Sequence, residues 1–186
     1  MVAEQAALGP ARERVLEAAE RVVSEVGAAR LTLDAVAHAA AVSKGGLLYH
    51  FPSKESLLIA LAQRYVDSMQ MCIEGAKGGL EGDPARELKA CIVGILGDDP
   101  RTKAMGAALL AAASSDLTLL EVIRERIARY TAEVAASNAD FARAAVVALA
   151  VDGLKMRESL RISSFTPEQR QDIVNALLKL ADDAYR

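Results

Sequence analysis

Residues 31–58 read LTLDAVAHAAAVSKGGLLYHFPSKESLL, and their punctuation decides how the chain folds. Thr32 carries the hydroxyl that a helix N-cap needs to accept from a free N–H of the first turn. Val36, Ala37 and Ala40 follow at helical spacing and make a small apolar face. Ala41-Val42 makes a tight turn. Ser43 then caps a second short helix through Lys44-Gly45-Gly46-Leu47-Leu48-Tyr49-His50. Phe51-Pro52 stops that helix, because proline disfavours helical geometry in the residue before it. Ser53 caps a third helix, with Lys54 and Glu55 in its first turn. Two short helices across a tight turn predict a helix-turn-helix, whose second helix enters the DNA major groove and turns its N-terminal residues to base edges.

That placement names candidate DNA contacts. Lys44, Gly45 and Gly46 open the second helix; the glycines lack bulk, so the backbone can approach closely. Lys44 can donate to guanine acceptors or to phosphate. Tyr49 and His50 can donate to phosphate oxygens. Thr32, Ser43 and Lys54 sit at helix starts, where free N–H groups and the helix dipole favour a phosphate. The competing reading is a plain helical hairpin with no role on DNA.

The run Thr32…Val36-Ala37…Ala40-Ala41-Val42-Ser43…Leu47…Tyr49-His50-Phe51-Pro52-Ser53-Lys54-Glu55…Leu57-Leu58 resembles the DNA-binding head of the TetR family of transcriptional regulators. With the amphipathic helix before it, the close resemblance covers roughly the first third of the chain. Two positions depart from the family's habit. Ala41 stands where glycine is common, at a strain of ~1 kcal/mol if its φ is positive. Leu48 stands where tyrosine is frequent, which passes an expected phosphate contact to Tyr49.

The rest of the sequence is consistent with a helical protein. The 186 residues are 52% hydrophobic but only 4% aromatic, with no Trp, and show no sustained period-two alternation. An all-α fold of about nine helices is predicted: a three-helix head (residues 1–54) carrying the helix-turn-helix, and a larger helical body (residues 55–186) to which the resemblance assigns effector binding and dimerisation. Cys72 and Cys91 are too few for a disulfide framework and are expected as buried reduced thiols. His38 and His50 show no metal-ligand spacing, so neither a metal nor a cofactor is expected. No signal pattern opens the chain, and the apolar run 144–151 is too short to span a bilayer; a cytoplasmic protein without a membrane partner is expected. The net charge is −3, yet residues 1–66 hold seven cations and seven anions, and from Arg30 to Lys54 there are three cations to one anion. Binding to nucleic acid would then rest on local placement and dimer geometry more than on a strong field.

In chain order, residues 1–9 read as a loose arm. Pro10 opens a first helix with the apolar stripe Val15, Leu16, Ala19, Val22, Val23 and Val26, and Gly27 ends it. The helix from Lys54 continues without a breaker towards Ala76, a lever shared by head and body. Asp83-Pro84 starts the next helix, Asp98-Asp99-Pro100 the one after, and Ser114-Ser115-Asp116 breaks that. Leu120, Ile123, Ile127, Tyr130 and Val134 form a seam on a long amphipathic helix, with Arg124, Arg126 and Arg129 on a solvated, paired face. Residues 139–154 are apolar nearly all round and require burial on most sides. Thr166-Pro167-Glu168-Gln169 is a capping box opening the last helix.

The resemblance implies a double-stranded DNA operator as partner, a homodimer through the last two helices, and a small-molecule effector bound in the body. The expected function is a ligand-responsive regulator, a repressor released from its operator by a small apolar or aromatic effector. Met69, Cys91, Met105, Leu109 and Tyr130 are candidate pocket walls, although helical spacing makes core an equal reading for each. Catalysis is not expected, since no nucleophile–base spacing, metal cluster or phosphate-cradling loop is present. The alternative is a helical adaptor that keeps the head without binding specific DNA.

Overall fold

The computed structural model of the chain describes residues 2–97, 100–113, 118–136 and 139–186. Among them are nine α-helices, one short 3-10 turn and no strand. Helix α1 (Val2–Val26) does not wait for Pro10 but runs through it. Proline deletes one backbone donor there, while the alanines before it favour the helix. The arm expected at residues 1–9 is therefore helical from Val2 onward. Gly27 ends α1 at φ 83° and ψ 154°, a conformation that a side chain makes costly.

Helix α2 (Leu33–Ala39) starts as expected, with the Thr32 hydroxyl accepting from the Ala35 N–H at 3.2 Å. Its end sets the geometry of everything after it. The Val42 N–H donates back to the Ala37 carbonyl at 3.0 Å and the Ala41 N–H to the His38 carbonyl at 3.1 Å. These two bonds make a Schellman turn, which needs a left-handed residue just past the helix. That residue is Ala41, at φ 53°. The strain foreseen for a non-glycine turn is present.

Helix α3 (Lys44–His50) is capped by the Ser43 hydroxyl, which accepts from the Gly46 N–H at 3.0 Å. Phe51 ends it in extended geometry before Pro52. Helix α4 (Lys54–Lys77) opens on a reciprocal cap: the Ser53 Oγ accepts from the Ser56 N–H and the Ser56 Oγ from the Ser53 N–H, each at 3.1 Å. Helices α5 (Arg86–Leu96), α6 (Pro100–Ala113), α7 (Leu119–Ala136), α8 (Phe141–Ser159) and α9 (Pro167–Asp183) complete the chain. Helix α5 starts later than Asp83-Pro84 suggested, because Asp83 Oδ1 first accepts from the Ala85 N–H at 2.8 Å and holds a turn. The breaks expected at Asp98-Asp99 and Ser114-Ser115-Asp116 lie outside the described residues.

The chain forms two compact units, Met1–Tyr65 with Ala104–Ile123, and Val66–Lys103 with Arg124–Arg186. Helices α4, α6 and α7 each contribute residues to both units. The first unit has one buried cluster. Val15 and Ala19 of α1, Val36 of α2, Leu47 of α3 and Leu57 and Leu61 of α4 meet Met105 and Leu109 of α6 and Leu119 of α7 in it. Arg64 of α4 is held by Glu13 and Glu20 of α1, the latter at 2.7 Å.

In the second unit α8 packs on both α5 and α9. Gly94 of α5 permits a close crossing, because a Cβ there would lie 2.7 Å from the Ile73 Cα of α4. Arg170 of α9 pairs with Glu158 at 2.5 Å and donates to the Leu96 carbonyl at 2.6 Å, closing the open end of α5. The capping box on α9 is formed in both directions, between Thr166 and Gln169. Helix α8 ends in a second Schellman turn, with Arg161 left-handed at φ 56°. Of the two thiols, Cys91 is buried and Cys72 is exposed, against the expectation that both are buried. Cys72 lies on a turn of α4 that faces solvent.

Replacing Ala41 by Gly relieves a left-handed strain of about 1–2 kcal/mol at an entropic cost of about 0.5–1 kcal/mol in the unfolded chain. The Ala41→Gly variant is expected to unfold at higher urea concentration, with a gain of about 0.5–1 kcal/mol. An unchanged or lower midpoint would contradict the strain.

Candidate nucleic-acid interface and body cavity

Helix α3 is fixed by very little. Leu47 alone is fully buried, while Lys44, Gly45, Gly46, Leu48 and Tyr49 are exposed and His50 is half-buried. Tyr49 is 69% exposed, a large value for an aromatic side chain. Its ring meets His50 edge to face at 5.3 Å between centroids. A Cβ on Gly45 would meet nothing within 4 Å, so the first turn presents bare backbone outward. A Cβ on Gly46 would meet the capping Ser43 Oγ at 3.2 Å. The structure thus brings Ser43, Lys44, Gly45, Gly46, Tyr49 and His50 onto one short projecting helix. Thr32 and Lys54 lie at the starts of its two neighbours.

The cations near this helix have internal partners. Lys44 Nζ pairs with Asp34 at 3.0 Å, with both side chains mostly exposed. Such a pair is worth about 0–1 kcal/mol, so an incoming phosphate or base displaces it at small cost. Lys54 Nζ donates to the Ala29 carbonyl at 3.0 Å. Arg21 donates to the Ala39 carbonyl at the end of α2, and Arg12 lies over the Phe51 ring. These arginines brace the head from behind, a role that charge counting could not separate from phosphate binding.

The five candidate pocket walls part company. Met105 and Leu109 belong to the buried cluster of the first unit. Met69 is buried in the second unit and lines neither cavity described here. Cys91 and Tyr130 line both. The first cavity, about 190 Å³, lies between α5, α7 and α8 and is mainly apolar, with Ile95, Val134, Phe141 and Leu149 in its walls. The second, about 230 Å³, is more polar and reaches Gln70 and Lys77 of α4, Glu87 of α5 and Tyr185. Cys91, Arg126, Tyr130 and Val134 line both cavities and form the wall they share.

Two donors on that wall are stranded. Arg126 Nε and the Tyr130 hydroxyl are buried without an oxygen or nitrogen partner, and the hydroxyl has only the weakly accepting Cys91 thiol beside it. A buried unsatisfied donor costs about 1–3 kcal/mol. Arg126 thus does not share the solvated, paired face expected for it: its guanidinium stem faces inward. Burial pushes the Cys91 thiol up to about 11, with Arg126 pulling the other way. Burial and the neighbouring Cys91 raise Tyr130 further, so its hydroxyl keeps its proton. Asp152, on the cavity rim, is also raised by burial, with Arg126 opposing.

The sequence matches the family described as "Bacterial regulatory proteins, tetR family" over residues 15–61, and that described as "Tetracyclin repressor-like, C-terminal domain" over residues 85–182. The curated HTH-type transcriptional regulator YerO of Bacillus subtilis is 28% identical over 90 residues, 48% of this chain and 31% of that protein. The chain therefore aligns with less than half of YerO. A transcriptional regulator from Rhodococcus sp. Rha1 superimposes with a TM-score of 0.74 at 25% identity, covering 93% of this chain and 95% of that one. The multidrug binding protein EbrR, solved with malachite green, has a TM-score of 0.70 at 25% identity, covering 91% and 96%. With both its head and most of its body matched, and with a helix-turn-helix on the surface, the chain belongs to the TetR family of transcriptional regulators.

Proposed function

We propose that this regulator is a homodimeric repressor that reads a two-fold symmetric operator with α3 and leaves it when a small molecule fills the body cavity. The exposure of α3, with Leu47 as its one buried residue, carries the DNA reading. Gly45 and Gly46 bring backbone to the base edges, Lys44 supplies a donor that exchanges Asp34 for DNA, and Tyr49, His50, Thr32, Ser43 and Lys54 hold phosphates. The chain works in the cytoplasm, where its operator is; no described helix is long and apolar enough to cross a membrane. Neither catalysis nor a mere adaptor role has an observation in its favour.

The dimer reading rests on α8. Ala142, Val146, Leu149, Gly153, Met156 and Leu160 recur at spacings of four and three residues, the pattern of a helix-packing seam. Val146 is 61% and Leu149 70% exposed in the single chain. Residues 139–154 were expected to need burial on most sides, and a second copy laid on this seam and on α9 supplies it. A stable dimer of this kind buries about 1,600 Å² or more. Two copies would set their α3 helices about 34–36 Å apart, one turn of DNA.

Effector release is read as a population shift. Helix α7 carries Leu119 in the core of the first unit and Arg126 and Tyr130 at the cavity of the second. Helix α4 likewise carries Leu57 in the first and Ile73 in the second. A ligand that repositions either helix acts on both ends of one rigid element. To turn a mostly binding-competent population into a mostly incompetent one, it must favour the second state by about 5.5 kcal/mol. That EbrR was solved with malachite green supports a body that admits small molecules.

Two measurements test this reading. Binding to duplex DNA from upstream of the protein's own coding region should be sequence-specific and salt-sensitive. Tyr49→Ala and Lys54→Ala should each weaken it by about 1 kcal/mol across sequences, Lys54→Ala also reducing the salt slope by about 1. Unchanged affinity in both variants would mean the head docks another way. Sedimentation should show a dimer at micromolar protein and a monomer for Leu149→Glu; a monomeric parent protein would refute the seam.

A further inference from the structure

The chemistry of the cavity wall names the kind of molecule it holds. Arg126 and Tyr130 are four residues apart on α7, so they stand one above the other on one face. Both present donors to the same wall, and neither has an oxygen or nitrogen acceptor in the protein; the Tyr130 hydroxyl has only the Cys91 thiol beside it, a weak acceptor. The guanidinium Nε is a donor only and has no acceptor capacity. Around them the first cavity is lined by Ile95, Val134, Phe141, Ala148 and Leu149. We infer that the cavity selects an apolar, aromatic-sized molecule with one oxygen acceptor at its end, a carboxylate or carbonyl, seated against Tyr130 Oη and Arg126 Nε. This inference rests on reading the cavity as the effector site and adds the class of effector.

The alternatives fit less well. A hydrocarbon fills the apolar part but leaves both donors stranded. A cationic ligand in the first cavity meets the Arg126 guanidinium at the shared wall, with Asp152 as the one carboxylate lining that cavity to offset it. Size agrees as well. Each cavity, about 190 and 230 Å³, is below the ~300 Å³ at which ordinary small-molecule pockets begin. Each therefore suits a compact ligand, a single substituted ring seated against Tyr130. The polar side beyond that wall is rich in charge, with Lys77 held by Glu87 at 2.6 Å and by Glu74 at 2.9 Å. The oxygen end of the ligand is held at the shared wall by Tyr130 and Arg126, and its hydrocarbon end faces Phe141.

Three probes of one shape test the inference on the full chain by calorimetric titration at pH 7.5: 4-isopropylbenzoate, 4-isopropylbenzylamine and cumene. The benzoate is expected to bind at least about tenfold tighter than the other two, and Tyr130→Phe and Arg126→Gln each to weaken it about tenfold. Tyr130→Phe removes one oxygen and keeps the ring, so it reads the hydrogen bond even if Arg126→Gln disturbs the fold. Cumene binding as tightly as the benzoate overturns the inference. So does an amine that binds best and depends on Asp152, as read by Asp152→Asn, and so does binding of no probe at millimolar concentration. DNA release is read separately, by anisotropy of a labelled operator duplex. Benzoate binding without release upholds the ligand class and sinks the effector reading; release by the amine or cumene alone does the reverse.

Discussion

A single left-handed alanine holds the functional geometry of this chain. The Schellman turn after α2 sends the backbone into α3 at a fixed angle, and only a residue at positive φ closes it. Ala41 accepts that conformation at a cost of about 1–2 kcal/mol. The strain is tolerated because both flanks are fixed: Val36 and Ala37 are buried in the head core before the turn, and Leu47 after it. With the angle set, α3 needs no other anchor. Its remaining residues are left to solvent, which is what a helix that must enter a groove requires.

The same economy governs the body. Most of its stability comes from apolar faces between α5, α8 and α9, closed by Arg170 on the Leu96 carbonyl and by Lys89 on Asp83 and Asp182. One face of α8 and one stretch of α7 are left out of this satisfaction. The first is apolar and exposed, and suits a second copy of the chain. The second holds two buried donors without an oxygen or nitrogen acceptor beside an apolar cavity, which supports the proposed ligand site. Unsatisfied groups are expensive, so their position among the described residues supports the proposed binding site.

Local signals in the sequence were the ones that could be read directly. Thr32, Ser43, Ser53 and Thr166 cap helices through hydroxyls whose partners lie three residues away, so spacing alone identifies them. The strain at Ala41 was legible only through the resemblance, in which glycine is common at that turn. What covers a helical face was not. Met105 and Leu109 have the spacing of pocket walls and of core alike, and the fold sends them to the core of the first unit. Arg126 sits in an Arg/Glu-rich stretch that reads as solvated, yet its stem turns to the cavity. Cys72 and Cys91 look equivalent in sequence, and only the close crossing at Gly94 and the packing of α5 distinguish a buried thiol from an exposed one. Left-handed Arg161 had no signal in its residue type.

The claim on which the account turns is that α3 lies in the major groove. Methylation interference on a bound operator duplex tests it directly, because methylating guanine N7 alters only the major-groove edge. The account predicts two patches of N7 interference, one helical turn apart and related by two-fold symmetry. Binding indifferent to N7 methylation, with interference confined to adenine N3 in the minor groove, would contradict it.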